Sequence, residues 1–335
     1  MDKVYLSTVT PVYRGEDYLR ELVRELAAVR DDLTQRDSPL QLLESIFADD
    51  GSVDGSAGVL RALQKEHAWV RVVTLSRNFG QHPATIAGVL HSAGDWIATL
   101  DEDLQHHPRD LVSLLLHAVT HGQDVVYACP VLGVHQSWYR DFGSRGFKAL
   151  VGRLSGNPYV PLFSSFRMMR GSVARAAAAV AGHETYFDIA LCWFTSRVGA
   201  LPLRLQDQRF IDTGISGYHL HSLLRHARRM LASSQVRSLR FGGLLGLIAV
   251  TVSAVMLSVA ILGKFLWPGT IAVRGWLSLF TVVLFFGGVT TLLIGFVLEH
   301  MTMLVLHAQG KPTFFVVDRS KDALLAPLIK EYTAS

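Results

Sequence analysis

Two long apolar runs in the last third of the chain, Phe241–Leu262 and Trp276–Leu298, set the strongest limit on its fold. Neither contains a carboxylate or a basic residue, and at about 1.5 Å rise per residue each is long enough to span a hydrocarbon core of roughly 30 Å. Buried core helices are the alternative, but two such runs in tandem favour a pair of transmembrane helices. Gly263-Lys264 and Pro268-Gly269 mark a turn between them, and Trp267 and Trp276 stand where interfacial aromatic residues collect. Basic residues are denser before the first run and after the second (Lys311, Arg319, Lys321) than in the turn (Lys264, Arg274). The positive-inside rule then puts both ends in the cytosol.

The rest of the composition is that of a globular domain. Half of the 335 residues are hydrophobic and 18% are charged, with the apolar excess concentrated in the two runs. The formal charge is +4 and the pI about 9.1. Arg225, Arg228, Arg229, Arg237 and Arg240 gather just before the first run, where anionic lipid headgroups attract them by about 1 kcal/mol each. A helix over Tyr218–Ser233, apolar on one side and basic on the other, suits the membrane interface or the surface of the catalytic domain. No nucleic-acid motif accompanies the charge, so nucleic acid is not an expected partner. Cys129 and Cys192 have no CxxC or metal-ligand spacing, the usage of a reducing compartment. The first residues open on a strand pattern without a basic, apolar leader, and the globular part is expected to stay cytosolic.

In the first half, strand patterns at Tyr5–Thr10, Leu42–Ala48, Val70–Leu75, Trp96–Leu100 and Asp124–Ala128 alternate with helix patterns at Asp17–Arg30, Gly55–Lys65, Pro83–Ser92 and Pro108–His121. This predicts an α/β fold, a mostly parallel Rossmann-like sheet with helices on both faces. Ligands of such sheets bind outside the carboxyl ends of the strands.

Two polar clusters fall at those ends. Asp49-Asp50-Gly51-Ser52-Val53-Asp54-Gly55-Ser56 follows the second strand. Its acidic pair can accept bonds from a nucleobase or ribose, or the segment can be a turn and helix cap only. Asp101-Glu102-Asp103-Leu104-Gln105-His106-His107-Pro108 follows the fourth strand. Carboxylates at i and i+2 beyond a strand can converge on one hard cation, with Gln105 as a third oxygen. Mg²⁺ and Mn²⁺ favour oxygen ligands and bridge to substrate phosphates. His106 and His107 are expected to be exposed bystanders, since zinc would need more ligands.

Taken in order, these segments resemble family 2 glycosyltransferases of the GT-A fold, in the polyprenyl-phosphate branch that includes dolichol-phosphate mannose synthases and bacterial bactoprenol glycosyltransferases. The resemblance rests on Thr10-Pro11-Val12-Tyr13, Asp49-Asp50-Gly51-Ser52-x-Asp54-Gly55, Ser76-Arg77-Asn78-Phe79-Gly80-Gln81, Ala93-Gly94-Asp95, Asp101 to Pro108, Ser165-Phe166-Arg167-Met168-Met169 and the paired spans with Gly295, Glu299 and Pro312. It implies inverting transfer of a sugar from a nucleotide-sugar to a polyprenyl phosphate, undecaprenyl phosphate in a bacterial inner membrane. The product would be a lipid-linked monosaccharide for the cell envelope.

It further implies that Pro11, Tyr13, Glu16, Asp49, Asp50, Arg77, Asp101 and Glu102 bind the nucleotide. Asp101, Asp103 and Gln105 would hold Mg²⁺ or Mn²⁺, and Arg209 would neutralise the diphosphate. Arg140 and Arg167 would meet the acceptor phosphate, and Asp103, Asp188 and Arg209 would form the catalytic set. A homo-oligomer, a tetramer, is a further implication. The chain divides accordingly into a catalytic domain (1–216), a basic juxtamembrane helix (217–240), two transmembrane helices (241–299) and a cytosolic tail (300–335).

The chain departs from the family pattern in three places. Arg14-Gly15 replaces Asn-Glu, the spacing from Arg209 to Gly214 is two residues longer, and Ser165 stands where an acid often precedes Phe-Arg. Asp188 is the best remaining acid, able to orient a sugar hydroxyl or to serve as a helix-capping carboxylate. A processive polysaccharide synthase would need more spans and a Gln-x-x-Arg-Trp motif. A membrane-bound sugar-nucleotide sensor would be expected to carry a broken metal motif, and here both carboxylates are intact.

Overall fold

Strand β1 (Val4–Val12) is buried along nearly its whole length because it has a parallel neighbour on each edge, β2 (Leu40–Asp49) and β4 (Trp96–Thr99). The computed structural model describes residues 3–130, 157–182, 185–203, 237–266, 276–308 and 320–334. They form two compact units, an α/β unit and a helical unit.

In the α/β unit a seven-stranded sheet has the order β3-β2-β1-β4-β6-β5-β7. Beyond the first two strands and β4 it comprises β3 (Val70–Thr74), β5 (Val125–Pro130), β6 (Arg167–Arg170) and β7 (Val198–Leu203). Only β6 runs antiparallel to its neighbours. Helix α1 (Leu19–Gln35) buries Leu19, Leu22, Val23, Leu26 and Leu33, one stripe at helical spacing. With α2 (Ser56–Glu66) and α4 (Asp110–Thr120) it covers one face of the sheet. The other face carries α3 (Gln81–Leu90), α5 (Gly171–Val180) and α6 (Phe187–Phe194). All five strands and four helices read from the first half appear within a few residues of their expected ends; β6, α5, α6 and β7 lie beyond the elements read from the sequence.

The segment after the helical unit returns to the sheet. The 3₁₀ turn Ser320–Leu325 puts Leu325, fully buried, into the core beside α4, and Leu324 and Leu328 pack around it. Asp322 receives both terminal nitrogens of Arg170 at 3.0 and 2.7 Å, and Lys321 bonds the Asp95 carboxylate at 2.9 Å. Helix α9 (Ala326–Ala334) follows, with Tyr332 against Ser113. These residues were expected in a separate tail; they belong to the α/β unit because they supply apolar volume and counter-charge that it uses.

The helical unit pairs α7 (Arg237–Leu266) with α8 (Trp276–Ala308). Small residues let the helices approach closely: a methyl group on Gly288 would meet the backbone nitrogen of Val250 at 2.9 Å. Between them, the buried Ser253 hydroxyl donates to the Thr281 carbonyl at 2.9 Å. Leu279–Leu298 is long and apolar enough to cross a membrane, with mean hydropathy 2.3 and little of it buried. It is the one such stretch among the described residues; Gly246–Val259 in α7 is apolar but shorter. The expected helix over Tyr218–Ser233 lies outside the described residues.

Leu325→Ala should lower the unfolding free energy of the α/β unit by about 2–5 kcal/mol, the usual cost of emptying a packed leucine site. Thermal unfolding of the detergent-solubilised chain measures it. A loss below about 0.5 kcal/mol would mean that the segment only rests on the surface.

Candidate functional site

Because Val12 pairs with Asp49 and Val9 with Thr99, β1 and β2 end level and β4 ends three residues earlier, all pointing the same way. Asp50 N continues the ladder to Val12 O at 2.8 Å, and Leu100 N to Val9 O at 3.0 Å. The two acidic clusters therefore leave the sheet at the same end, at the point where the strand order reverses between β1 and its neighbours. A cavity of about 400 Å³ opens there. Its lining comprises Pro11, Val12 and Tyr13 at the end of β1, Asp50 just after β2, Asn78, Gly80 and Gln81 at the entry to α3, and Asp101, Glu102 and Asp103 in the loop after β4.

The carboxylates divide between bracing the loops and facing the cavity. Buried Asp50 accepts from Phe79 N at 2.7 Å and Gly80 N at 2.8 Å, which pins the segment that enters α3. Next to it Gly51 has φ +66°, and a Cβ there would lie 2.9 Å from the Arg77 carbonyl carbon. A glycine is needed on both counts. Glu102 accepts from Tyr13 N at 2.8 Å and Arg14 N at 3.2 Å. Gly15 permits that approach, since a Cβ on it would meet Glu102 Oε2 at 2.8 Å. The departure at Arg14-Gly15 thus goes with a backbone held by Glu102.

Asp101 and Asp103 complete the acidic wall. Asp101 Oδ1 accepts from Gln81 Nε2 at 2.8 Å and Oδ2 from Ser165 Oγ at 2.6 Å. Asp103 is buried and receives Gln105 Nε2 at 3.1 Å, across a loop bent by Leu104 at φ +59°. His106 was expected at the surface but is 3% exposed, stacked on Phe166 with ring centroids 4.7 Å apart. Burial pushes its imidazole below the ordinary pKa, against the pull of Asp101 and Asp110. His107 is half-buried, 3.8 Å from Glu25.

The other expected residues go elsewhere. Asp49 lies just behind the cavity and accepts from Ser52 N at 2.9 Å and Ser52 Oγ at 2.6 Å. Glu16 accepts from Gly55 N at 2.8 Å, at the start of α2. Exposed Arg77 lies over the Phe79 ring, 4.6 Å from its centroid. The Gln105 amide is turned to Asp103, and Gln105 does not line the cavity. Arg140 and Arg209 lie outside the described residues.

Arg167 and Asp188 are brought to each other rather than to the cavity. They are 3% and 2% exposed and form an ion pair, and the Tyr127 hydroxyl donates to the same Asp188 oxygen at 2.8 Å. Burial first, then the Asp188 carboxylate, raises the Tyr127 phenol well above its ordinary pKa.

Two hard carboxylates facing one cavity suit Mg²⁺ or Mn²⁺. Among the described residues no three His, Cys, Asp or Glu side chains gather into a metal cluster. That donor set fits a cation whose remaining ligands are water and substrate phosphate. Gln81, Asn78 and Ser165 carry no expected role from the sequence, although all three lie within segments of the family resemblance and Ser165 stands where an acid is usual.

Residues 7–176 match the model of glycosyl transferase family 2. Over 314 residues the chain is 28% identical to an undecaprenyl-phosphate 4-deoxy-4-formamido-L-arabinose transferase from Edwardsiella ictaluri, covering 93% of both chains. It is 28% identical to an enzyme of the same description from Sodalis glossinidius, covering 94% of this chain and 93% of the other. Among solved structures it is similar to glucosyl-3-phosphoglycerate synthase from Mycobacterium tuberculosis in complex with Mn²⁺, uridine diphosphate and phosphoglyceric acid. That match has 16% identity and TM-score 0.46, and covers 69% of this chain and 77% of that one.

Asp188→Ala should cost about 3–5 kcal/mol of stability, because it strands the buried Arg167 charge. The double variant Arg167→Met/Asp188→Leu should recover much of that loss. Unfolding of the three proteins in parallel measures this, and a single variant as stable as the parent would refute the pairing as a structural element.

Proposed function

The chain belongs to glycosyl transferase family 2, and on that premise we propose that it transfers a sugar from a nucleotide-sugar to undecaprenyl phosphate. The product is a lipid-linked monosaccharide for synthesis or modification of the cell envelope. The observation that carries this reading is the convergence of Asp101 and Asp103 on one cavity at the strand ends, beneath a segment pinned by Asp50. The relatives of similar length support the choice of acceptor.

In this reading Pro11, Val12 and Tyr13 form the wall against the nucleoside, held in place by Glu102. Asp101 and Asp103 hold Mg²⁺ or Mn²⁺, which supplies counter-charge to the departing diphosphate when bound. The anomeric carbon loses its bond to the diphosphate oxygen and gains one to an oxygen of the acceptor phosphate on the opposite face, with inversion. A phosphate monoester has a second pKa near 6 and is largely a dianion at neutral pH, so it needs no base. That agrees with Ser165 in place of an acid and with Asp188 committed to Arg167. Arg140 and Arg209 are retained as phosphate-binding candidates.

We assign the helical unit to the membrane as a two-helix hairpin in the bacterial inner membrane. The apolar stretch Leu279–Leu298 supports one crossing. The return of the chain to the α/β unit by Ser320–Leu325 supports an even number, because a single folded unit lies on one side of a bilayer. Outward residues such as Val255, Val259, Val283 and Phe286 then face lipid.

Incubation of the membrane protein with undecaprenyl phosphate and a panel of nucleotide-sugars should yield one glycosylated lipid by mass. Nucleotide release with no lipid product from any donor would reject the assignment. Asp101→Asn and Asp103→Asn should each lower transfer by about 10²-fold or more, equivalent to several kcal/mol of lost charge stabilisation. Chelation should abolish activity and Mg²⁺ or Mn²⁺ restore it; full activity in chelator would refute the metal. A cysteine introduced at Gly269 should be labelled from the periplasmic side, and labelling only from the cytosol would overturn the hairpin.

A further inference from the structure

We propose that Gln81 and Ser165 are positioning residues for Asp101, fixing how its carboxylate is presented to the divalent cation; this rests on the metal-dependent reading above. The side chain of Asp101 sits between donors from two separate parts of the fold. Gln81 opens α3 and donates to Oδ1 at 2.8 Å; Ser165 precedes β6 and donates to Oδ2 at 2.6 Å. The terminal torsion of an aspartate is otherwise broad. One bond to each oxygen sets it, and each oxygen has a further lone pair with which to meet a cation.

Both donors are uncharged, and this distinguishes Asp101 from Asp188. Asp188 is met by a guanidinium, which occupies its charge. Asp101 is oriented by an amide and a hydroxyl, which leave its full negative charge for the metal. An acid at position 165 would place a second negative charge against the same oxygen.

The donors are themselves held. Asp50 fixes Gly80 N, the residue before Gln81, at 2.8 Å, and Thr85 Oγ1 bonds the Gln81 carbonyl at 2.9 Å. Thr99 Oγ1 donates to the Ser165 carbonyl, and Ala128 N to the Phe166 carbonyl at 2.9 Å. Asp50 is thus linked through Gly80 and Gln81 to Asp101. A supporting shell of this kind changes metal affinity by about 10–100-fold when removed.

The test uses the full chain in detergent, with Mn²⁺ alone as the probe, followed by loss of its free electron paramagnetic resonance signal. The parent should bind Mn²⁺ and Asp101→Asn should not. Ser165→Ala and Gln81→Ala should each weaken binding about tenfold or more, while Ser165→Thr, which keeps the hydroxyl, should stay within about threefold of the parent. The Mn²⁺ concentration for half-maximal transfer should shift in the same order. If Asp101→Asn loses Mn²⁺ but Ser165→Ala and Gln81→Ala bind it as the parent does, the positioning role is overturned and the metal reading stands. A lower melting temperature with unchanged Mn²⁺ affinity in those two variants has the same meaning. If the parent binds no Mn²⁺, or Asp101→Asn binds it equally well, the metal reading fails and this inference with it.

Discussion

Parallel pairing on both edges of β1 is the constraint on which the site depends. The register that sets Val12 beside Asp49 and Val9 beside Thr99 decides where three loops leave the sheet. A one-residue slip of β2 would exchange the side chains that meet each helical layer and carry Asp50 away from the segment it pins. The apolar length of β1 and the helices on each face resist such a slip, since almost every residue of the strand is covered. The chemistry at the strand ends is placed by the core beneath it.

Across the α/β unit, similar acids do different work because their partners differ. Asp50 and Glu102 are occupied by backbone amides and hold loops. Asp188 is neutralised by Arg167. Among the described residues Asp101 accepts from the Gln81 amide and the Ser165 hydroxyl, with the buried His106 Nδ1 3.8 Å away. Burial alone does not decide a carboxylate's role: Asp103 is as buried as many structural acids and still borders the cavity.

Much of this was legible in the residues. The alternation of apolar strands and amphipathic helices up to Ala128 translates directly into the sheet, and the Asp101-x-Asp103 spacing at a strand end translates into two carboxylates on one cavity. β6 was not legible because Arg167-Met168-Met169-Arg170 carries two arginines in four residues, a pattern that reads as surface. Both are buried, and the acids that make this tolerable, Asp188 and Asp322, lie 21 and 152 positions away. His106 misled for a related reason: a histidine in a polar loop reads as exposed until Phe166, far along the chain, supplies the ring it stacks on. Local pattern reports periodicity well and distant partners not at all.

The docking of Ser320–Ala334 on the sheet also orders the protein's biogenesis. These residues follow α7 and α8 in the chain, so they emerge from the ribosome only after both helices have been made. Until then the α/β unit lacks the side chain of Leu325 in its core, and Arg170 has the Asp124 carboxylate at 3.0 Å but not that of Asp322. The unit at the amino end is therefore completed only by residues that follow the helical pair in the chain. A chain interrupted within α8 would lack Leu325 and Asp322 as well as part of the helical pair, and would carry an unfinished α/β unit.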